Sequence, residues 1–339
     1  MMIKKRLAIT TIAVFIIFIN DLYPQNLSYN LSRVAGEYAQ SYLQPFINSF
    51  GADLNSGFYS ATSSLADRQT GFHLSFGLKT IGAFVPANEK TFSAVYYDTV
   101  MYNLYGQEYP VSGKATVKDA PTIFGSADPA NATVEINDTI YAALIAYPIH
   151  ETRQEKTIGG LVPTDFVPLV VPQLNIGTYM GTDIFLRWLP SIKLGSYGNT
   201  SFIGFGIEHN LNQYLPGLPV NIDLLFSYQN MGITDTTGYR FINLNALAVD
   251  ALVNKALGIV NVYGAVQYES ENLDVNYKYI PQNSNSNSFT TNINFSLKGE
   301  NTFRLITGVS VSLGIFNVNL DYNISKINVL SLGLGFNIL

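Results

Sequence analysis

From Gly71 to the last residue the chain repeats with a period of two, and that repeat constrains its fold more than any other feature. Successive side chains of a strand point to opposite faces. In the first repeat Phe72, Leu74, Phe76 and Leu78 share one side, while His73, Ser75, Gly77 and Lys79 share the other. Val220, Ile222, Leu224 and Phe226 alternate with Asn221, Asp223, Leu225 and Ser227; Ile293, Phe295 and Leu297 with Asn294, Ser296 and Lys298; Phe316, Val318 and Leu320 with Asn317, Asn319 and Asp321. The apolar sides carry almost no charge, and the opposite sides are small or polar. A soluble sandwich would put the apolar sides in a core. Here the pattern predicts the inverse, a closed antiparallel barrel with lipid outside and water inside, since closure leaves no strand edge unpaired in hydrocarbon.

Composition supports that inversion. Charged residues are 13% of the 339, about half the roughly 25% of soluble domains. Yet the mean hydropathy of +0.15 is too polar for a helical bundle, and 22 Tyr and 21 Phe stand beside one Trp. Lys4, Lys5 and Arg6 precede the apolar stretch from Leu7 to Ile19, the order of a secretory signal peptide; we expect it to span residues 1–24, although Asp21-Leu22-Tyr23-Pro24 lacks small cleavage-site residues. Removing those residues leaves 16 basic and 23 acidic side chains, a net charge of 16 − 23 = −7, which argues against a nucleic-acid partner. With no cysteine, disulfides, zinc thiolates and a lipidated anchor are unavailable.

Ser32 to Phe50 reads as a short amphipathic helix, with Val34, Tyr38, Tyr42 and Phe46 every four residues and Pro45 bending or ending it. Residues 51–70, rich in Ser, Ala, Gly and Asn, read as loop. Residues 25–70 are then an arm on the barrel rim or a plug in its lumen, with Tyr38, Tyr42 and Phe46 as plug candidates. Residues 71–339 form the barrel. Tight turns are expected at Leu313-Gly314 and at Asn323 to Lys326, and long surface loops at 99–138, 148–170 and 279–288. We expect about fourteen strands, or twelve or ten if 272–280 and 289–298 are a projecting hairpin.

The final strand sets Leu330, Leu332, Leu334, Phe336 and Ile338 against Ser331, Gly333, Gly335 and Asn337. Ser331, Gly333, Phe336 and Ile338 resemble the C-terminal signal read by the barrel assembly machinery, with Leu339 replacing the usual final aromatic. Four further stretches, Asp183–Pro190 (DIFLRWLP), Gly206–Pro219 (GIEHNLNQYLPGLP), Tyr38–Phe46 (YAQSYLQPF) and Pro121–Gly125 (PTIFG), resemble an uncharacterised family of outer-membrane barrels from bacteria that use type IX secretion. More distantly, the plan is similar to the long-chain fatty-acid transporter barrels and the type IX secretion shuttle barrel. The resemblance implies fourteen strands and an N-terminal segment entering the lumen.

Chemistry is sparse. His73 is expected to face the lumen, His150 to lie in a loop beside Glu151, and His209 to open the turn before Pro216; no two have metal-ligand spacing. Neither a phosphate loop nor a dinucleotide fingerprint occurs, so we expect no enzyme, metal or cofactor. Gly204-Phe-Gly206 and Gly333-Leu-Gly335 sit in strands, where small residues relieve crowding. Lys79, Asp183, Arg187, Asp223, Lys298, Arg304 and Asp321 are expected in the lumen, either as a selectivity ring or, as we favour, as ion pairs that staple the strands and block the pore. Tyr96, Tyr97, Tyr102, Tyr105 and Tyr109 would form an interface girdle or a ligand-gripping loop. The expected role is an outer-membrane channel or transporter for small hydrophobic molecules, with membrane lipid and the assembly machinery as partners. The alternative is a scaffold or shuttle for secreted or surface proteins.

Overall fold

Strand pairing begins where the two-residue period begins. The computed structural model describes residues 36–59, 72–142, 145–178, 180–193, 198–235, 237–279 and 291–338; the expected signal peptide and most of the 279–288 loop lie outside the described residues. Among the described residues one helix, α1 (Gly36–Leu54), precedes β1 (His73–Phe84). Four strands follow, β2 (Thr91–Leu104), β3 (Gln107–Pro121), β4 (Asn131–Ala142) and β5 (Ile145–Lys156). Then come β6 (Phe166–Gly177), β7 (Thr182–Lys193), β8 (Asn199–Asn210), β9 (Asn221–Thr234), β10 (Arg240–Leu257) and β11 (Val260–Tyr279). The chain ends with β12 (Thr291–Lys298), β13 (Phe303–Leu313), β14 (Phe316–Ile324) and β15 (Val329–Asn337).

The closed ring has ten staves, in the order β10, β9, β8, β7, β6, β1, β15, β14, β13, β11, with β10 pairing β11 to complete it. All pairs are antiparallel; the seam joins the first stave to the last, with Lys79 opposite Gly333. Fourteen was an overcount for two reasons. β11 is 20 residues long; its first half pairs with β13 and its second half with β12, so β12 and that half of β11 project as a pair beyond the ring. Residues 91–156, expected mainly as long loops, form a separate four-stranded meander β2-β3-β4-β5. Thr, Asp, Gly and Pro hid these strands from a composition-based reading, but pairing down to Tyr102↔Tyr109 is continuous apart from one bulge near Phe92. The β2–β3 hairpin closes on Tyr105 (φ 50) and Gly106 (φ 85), the left-handed pair of a type I′ turn.

The meander leaves the rim opposite the C-terminus, and its 14-residue β2 is about 45 Å long at ~3.3 Å per residue. It curls enough to bury Val111, Ala115, Val134 and Ile136 on one face. The expected division into short turns at one end and long loops at the other holds only partly: Leu313-Gly314 turns at the C-terminal end, and the short β14–β15 connection turns at the other.

Outside the ring, Leu186, Trp188, Phe205, Phe226, Val266, Leu305, Leu332 and Leu334 stand exposed. Inside lie Ser75, Gln173, Arg187, Gln229, Gln267, Asp321 and Ser331, all buried. The inversion expected from the alternation therefore holds in the middle of the barrel. Toward the meander the interior changes: Ile81, Val167, Val171, Phe202, Met231, Phe241 and Leu244 form one apolar cluster with Tyr42, Leu43 and Ile47 of α1. The expectation of a wholly small or polar interior is corrected there, because an apolar helix face needs an apolar wall.

Candidate functional site

The lumen is occupied by the chain's own N-terminal segment. The helix is described from Gly36 and runs four residues beyond Phe50, to Leu54; Ser32 and Val34 of the expected helix lie outside the described residues. Pro45 costs one helical hydrogen bond, yet it neither ends α1 nor outweighs the burial of Leu43, Phe46 and Ile47 around it. Tyr38, Tyr42 and Phe46 are all buried. Tyr38 packs edge-on against Phe92 and Tyr96 of the meander. The Tyr42 hydroxyl donates to the Gly159 carbonyl (3.0 Å) and accepts from the Leu161 N–H (3.2 Å). Ile123 N–H donates to the Tyr42 carbonyl (3.2 Å), which joins two of the sequence stretches noted above, Tyr38–Phe46 and Pro121–Gly125.

After α1 the chain continues to Tyr59 through the polar part of the lumen, and each carbonyl from Leu54 to Tyr59 accepts from a barrel side chain. Gln229 Nε2 donates to Leu54. Gln267 Nε2 donates to Asn55 (2.9 Å), and Arg187 Nη1 and Nη2 donate to Ser56 (2.9 Å) and Gly57. Gln173 Nε2 donates to Phe58 (3.4 Å), and Lys79 Nζ to Tyr59 (2.8 Å). Side chains add to the grip. The Arg187 guanidinium lies 4.2 Å from the centroid of the Phe58 ring, a cation–π contact. Tyr59 OH donates to Asp250 Oδ2 (2.7 Å), and Asn55 Nδ2 to Glu271 Oε1 (2.7 Å). Gly57 has φ +67, and a Cβ there would stand 2.6 Å from Ser331 Oγ, so both backbone conformation and space demand glycine.

The expected lumen charges divide. Lys79, Arg187, Asp223, Arg304 and Asp321 are inside and buried. Arg304 pairs with Glu269; Lys79 donates to Asn319 Oδ1 (2.9 Å); Asp223 accepts from Asn210 (2.7 Å) and Asn254 (2.6 Å); Asp321 accepts from Asn323 (2.5 Å) and Tyr263 (3.2 Å). Asp183 pairs with His73 (3.1 Å) near the C-terminal end of the lumen. Lys298 is corrected: it lies exposed on the projecting β12, where no lumen exists. With Arg187 and Arg304 each about 1% exposed, these charges knit the interior together and do not line an open path.

His150 is exposed on β5 and not in a loop. His209 lies in β8 and shares a hydrogen bond with Thr182 Oγ1 (2.7 Å). Among the described residues no group of His, Asp and Glu has metal-binding geometry. The five tyrosines lie on the β2–β3 hairpin of the meander, off the barrel wall, so they form no girdle there. Gly204 and Gly206 relieve crowding as expected: an added Cβ would meet Gln229 or Phe185. Ser331 and Gly333 face inward, while Phe336 and Ile338 are exposed.

Sequence reasoning sought charges and so missed the three glutamines and the whole segment Asn55–Tyr59. The available signal was periodic: Gln173, Gln229 and Gln267 all fall on inward positions of their strands.

This fold and interior define a ten-stranded antiparallel β-barrel with an apolar exterior, closed internally by its own N-terminal segment. The chain belongs to a family of unknown function, DUF6588, matched over residues 3–338. No curated protein matches it. Among solved structures it is similar to the loop L8 deletion mutant of OmpT, an outer membrane protein of Vibrio cholerae, with 10% identity, a TM-score of 0.26 and coverage of 79% of this chain and 99% of that one. It is also similar to OccAB4 of Acinetobacter baumannii, with 8% identity, a TM-score of 0.20 and coverage of 79% and 98%. Ten staves also depart from the fourteen implied by likeness to fatty-acid transporter barrels.

Proposed function

We propose that this protein is an outer-membrane channel or transporter for small hydrophobic molecules, closed at rest by α1 and residues 54–59 and opened when they withdraw. The observation that carries this reading is the lumen itself, in which a separable segment of chain fills the space enclosed by a closed ring. The apolar exterior supports placement in lipid, because the ring satisfies every strand edge without water. Phe336 and Ile338 on the outer face of the last strand fit recognition by the assembly machinery.

Magnitudes support a removable closure. Six carbonyl hydrogen bonds contribute about 1 kcal/mol each, and ordering six residues costs about 1–2 kcal/mol each. The six carbonyl bonds are thus offset by ordering, and the side-chain contacts of Asn55, Phe58 and Tyr59 together with the apolar face of α1 keep the closed state. A solute that takes over the apolar wall around Tyr42, Leu43 and Ile47 must itself be apolar, which supports the hydrophobic class.

A lock tests the reading. An ideal Cβ at Gly51 lies 3.1 Å from Cβ of Glu271, within a few tenths of the ~3.5–4.5 Å of a disulfide, and the chain has no cysteine of its own. In proteoliposomes, Gly51→Cys with Glu271→Cys should pass an apolar dye when reduced and stop when oxidised. Equal flux in both states, or none in the reduced state, counts against a gated channel. The second reading, a scaffold for other proteins, draws on the meander, whose Tyr105, Tyr141 and Ile145 stand exposed beyond the rim.

A further inference from the structure

We infer that the middle of the lumen is a cradle for a helix-terminating turn and the residues after it, read through main-chain carbonyls, and that it accepts in trans a peptide of glycine-aromatic-aromatic type in place of Gly57-Phe58-Tyr59. This rests on the reading that the N-terminal segment can leave. Its basis is the donor set. Gln229, Gln267, Arg187, Gln173 and Lys79 come from five staves, β9, β11, β7, β6 and β1, and they address consecutive carbonyls in order. A plug that only filled volume would need apolar side chains or ion pairs. Here every residue from 54 to 59 is gripped at the one group that all peptides share. Selectivity then comes from three places: the Gly57 position, where Ser331 and Ile81 leave no space for a Cβ; the Phe58 slot between Arg187 and Phe185; and the Tyr59 hydroxyl on Asp250.

The donors are amides and cations held in place by the barrel's own bonds. Arg187 Nε donates to Gln173 Oε1 (2.8 Å), and Gln173 Nε2 to Asn175 Oδ1 (2.7 Å). The cradle is therefore built before its occupant arrives, which lowers the ordering cost of binding. The ligand class follows: a free peptide segment with a small residue, glycine and two aromatics, able to take up the same turn and arriving with its carbonyls unpaired.

The test uses the full chain in detergent and a fluorescent peptide copying Asp53–Tyr59. Gly57→Ala, placed on the resident segment and outside the cradle, should expel that segment and raise affinity for the peptide at least tenfold over the unmodified chain. A peptide whose Gly57-Phe58 amide is replaced by a reduced CH2–NH link loses one carbonyl and should bind at least tenfold more weakly. Adding Arg187→Leu to Gly57→Ala should abolish binding. Absence of binding to a folded Gly57→Ala barrel, or indifference to the reduced link, overturns the inference. If Gly57→Ala fails to fold, hydrogen exchange of residues 54–59 in the unmodified chain decides instead: millimolar peptide should accelerate it, and no acceleration overturns the cradle. Dye flux through the reduced cysteine pair without peptide binding rejects the cradle and leaves the channel standing; peptide binding without flux does the reverse.

Discussion

Arg304 and Glu269 form a bidentate pair inside the barrel, Nη2 lying 3.0 Å from Oε1 and 2.9 Å from Oε2, with both side chains wholly shielded from solvent. The pair joins neighbouring staves β13 and β11, and Arg304 also donates to Ser56 Oγ of the resident segment. Removing one member strands the other charge. Arg304→Met or Glu269→Met alone should destabilise the barrel by about 3–5 kcal/mol, and the double substitution by much less. Urea unfolding in detergent, followed by the heat-dependent gel shift of folded barrels, reads this; single and double variants of equal stability would refute it.

Tyr42 ties α1 to the 159–161 loop with one donated and one accepted hydrogen bond. Tyr42→Phe keeps the ring and removes both hydrogen bonds, at a cost of about 1–3 kcal/mol. Proteolysis of α1 should accelerate by tenfold or more while the barrel stays intact.

Leu332 lies opposite Thr80 and Leu320 on the outward face of the seam. If lipid surrounds it, Leu332→Arg should cost about 2–4 kcal/mol of folding into vesicles, whereas an exposed soluble site would tolerate it within about 0.5 kcal/mol. Unchanged folding yield would place this face in water.

Asp138 of β4 accepts N–H bonds from Ser112 (2.8 Å) and Thr139 (2.7 Å), which hold its carboxyl below the ordinary aspartate value. A depressed acid contributes stability above its unfolded pKa, near 3.9, and loses it as pH falls through the lower folded value. Ser112 amide protection, corrected for intrinsic exchange, should therefore drop below about pH 4 in the natural chain and stay level in Asp138→Asn.

The barrel wall was legible because lipid and lumen impose opposite demands on alternate residues, as β1 and β15 show. Lys79, Arg187 and Asp321 were placed inward by that parity alone. The meander was not legible: composition cannot distinguish a Thr- and Asp-rich strand from a loop when only pairing, such as Glu135↔Thr152, defines it. Parity failed for Lys298 because it tells which side of a sheet a residue takes, without telling whether the sheet is still a barrel there. The cradle left almost no trace, since a carbonyl is common to all residues; among the described residues 51–59, Gly57-Phe58-Tyr59 is the cluster whose shape matters.

The position of Leu54–Tyr59 also orders events during biogenesis. These residues precede β1 in the chain yet sit inside a ring that β1 completes by zipping to β15. A segment that enters before the seam closes needs no threading: the β1–β15 join then comes last, and the N-terminal stretch serves as a mandrel on which the cylinder is formed.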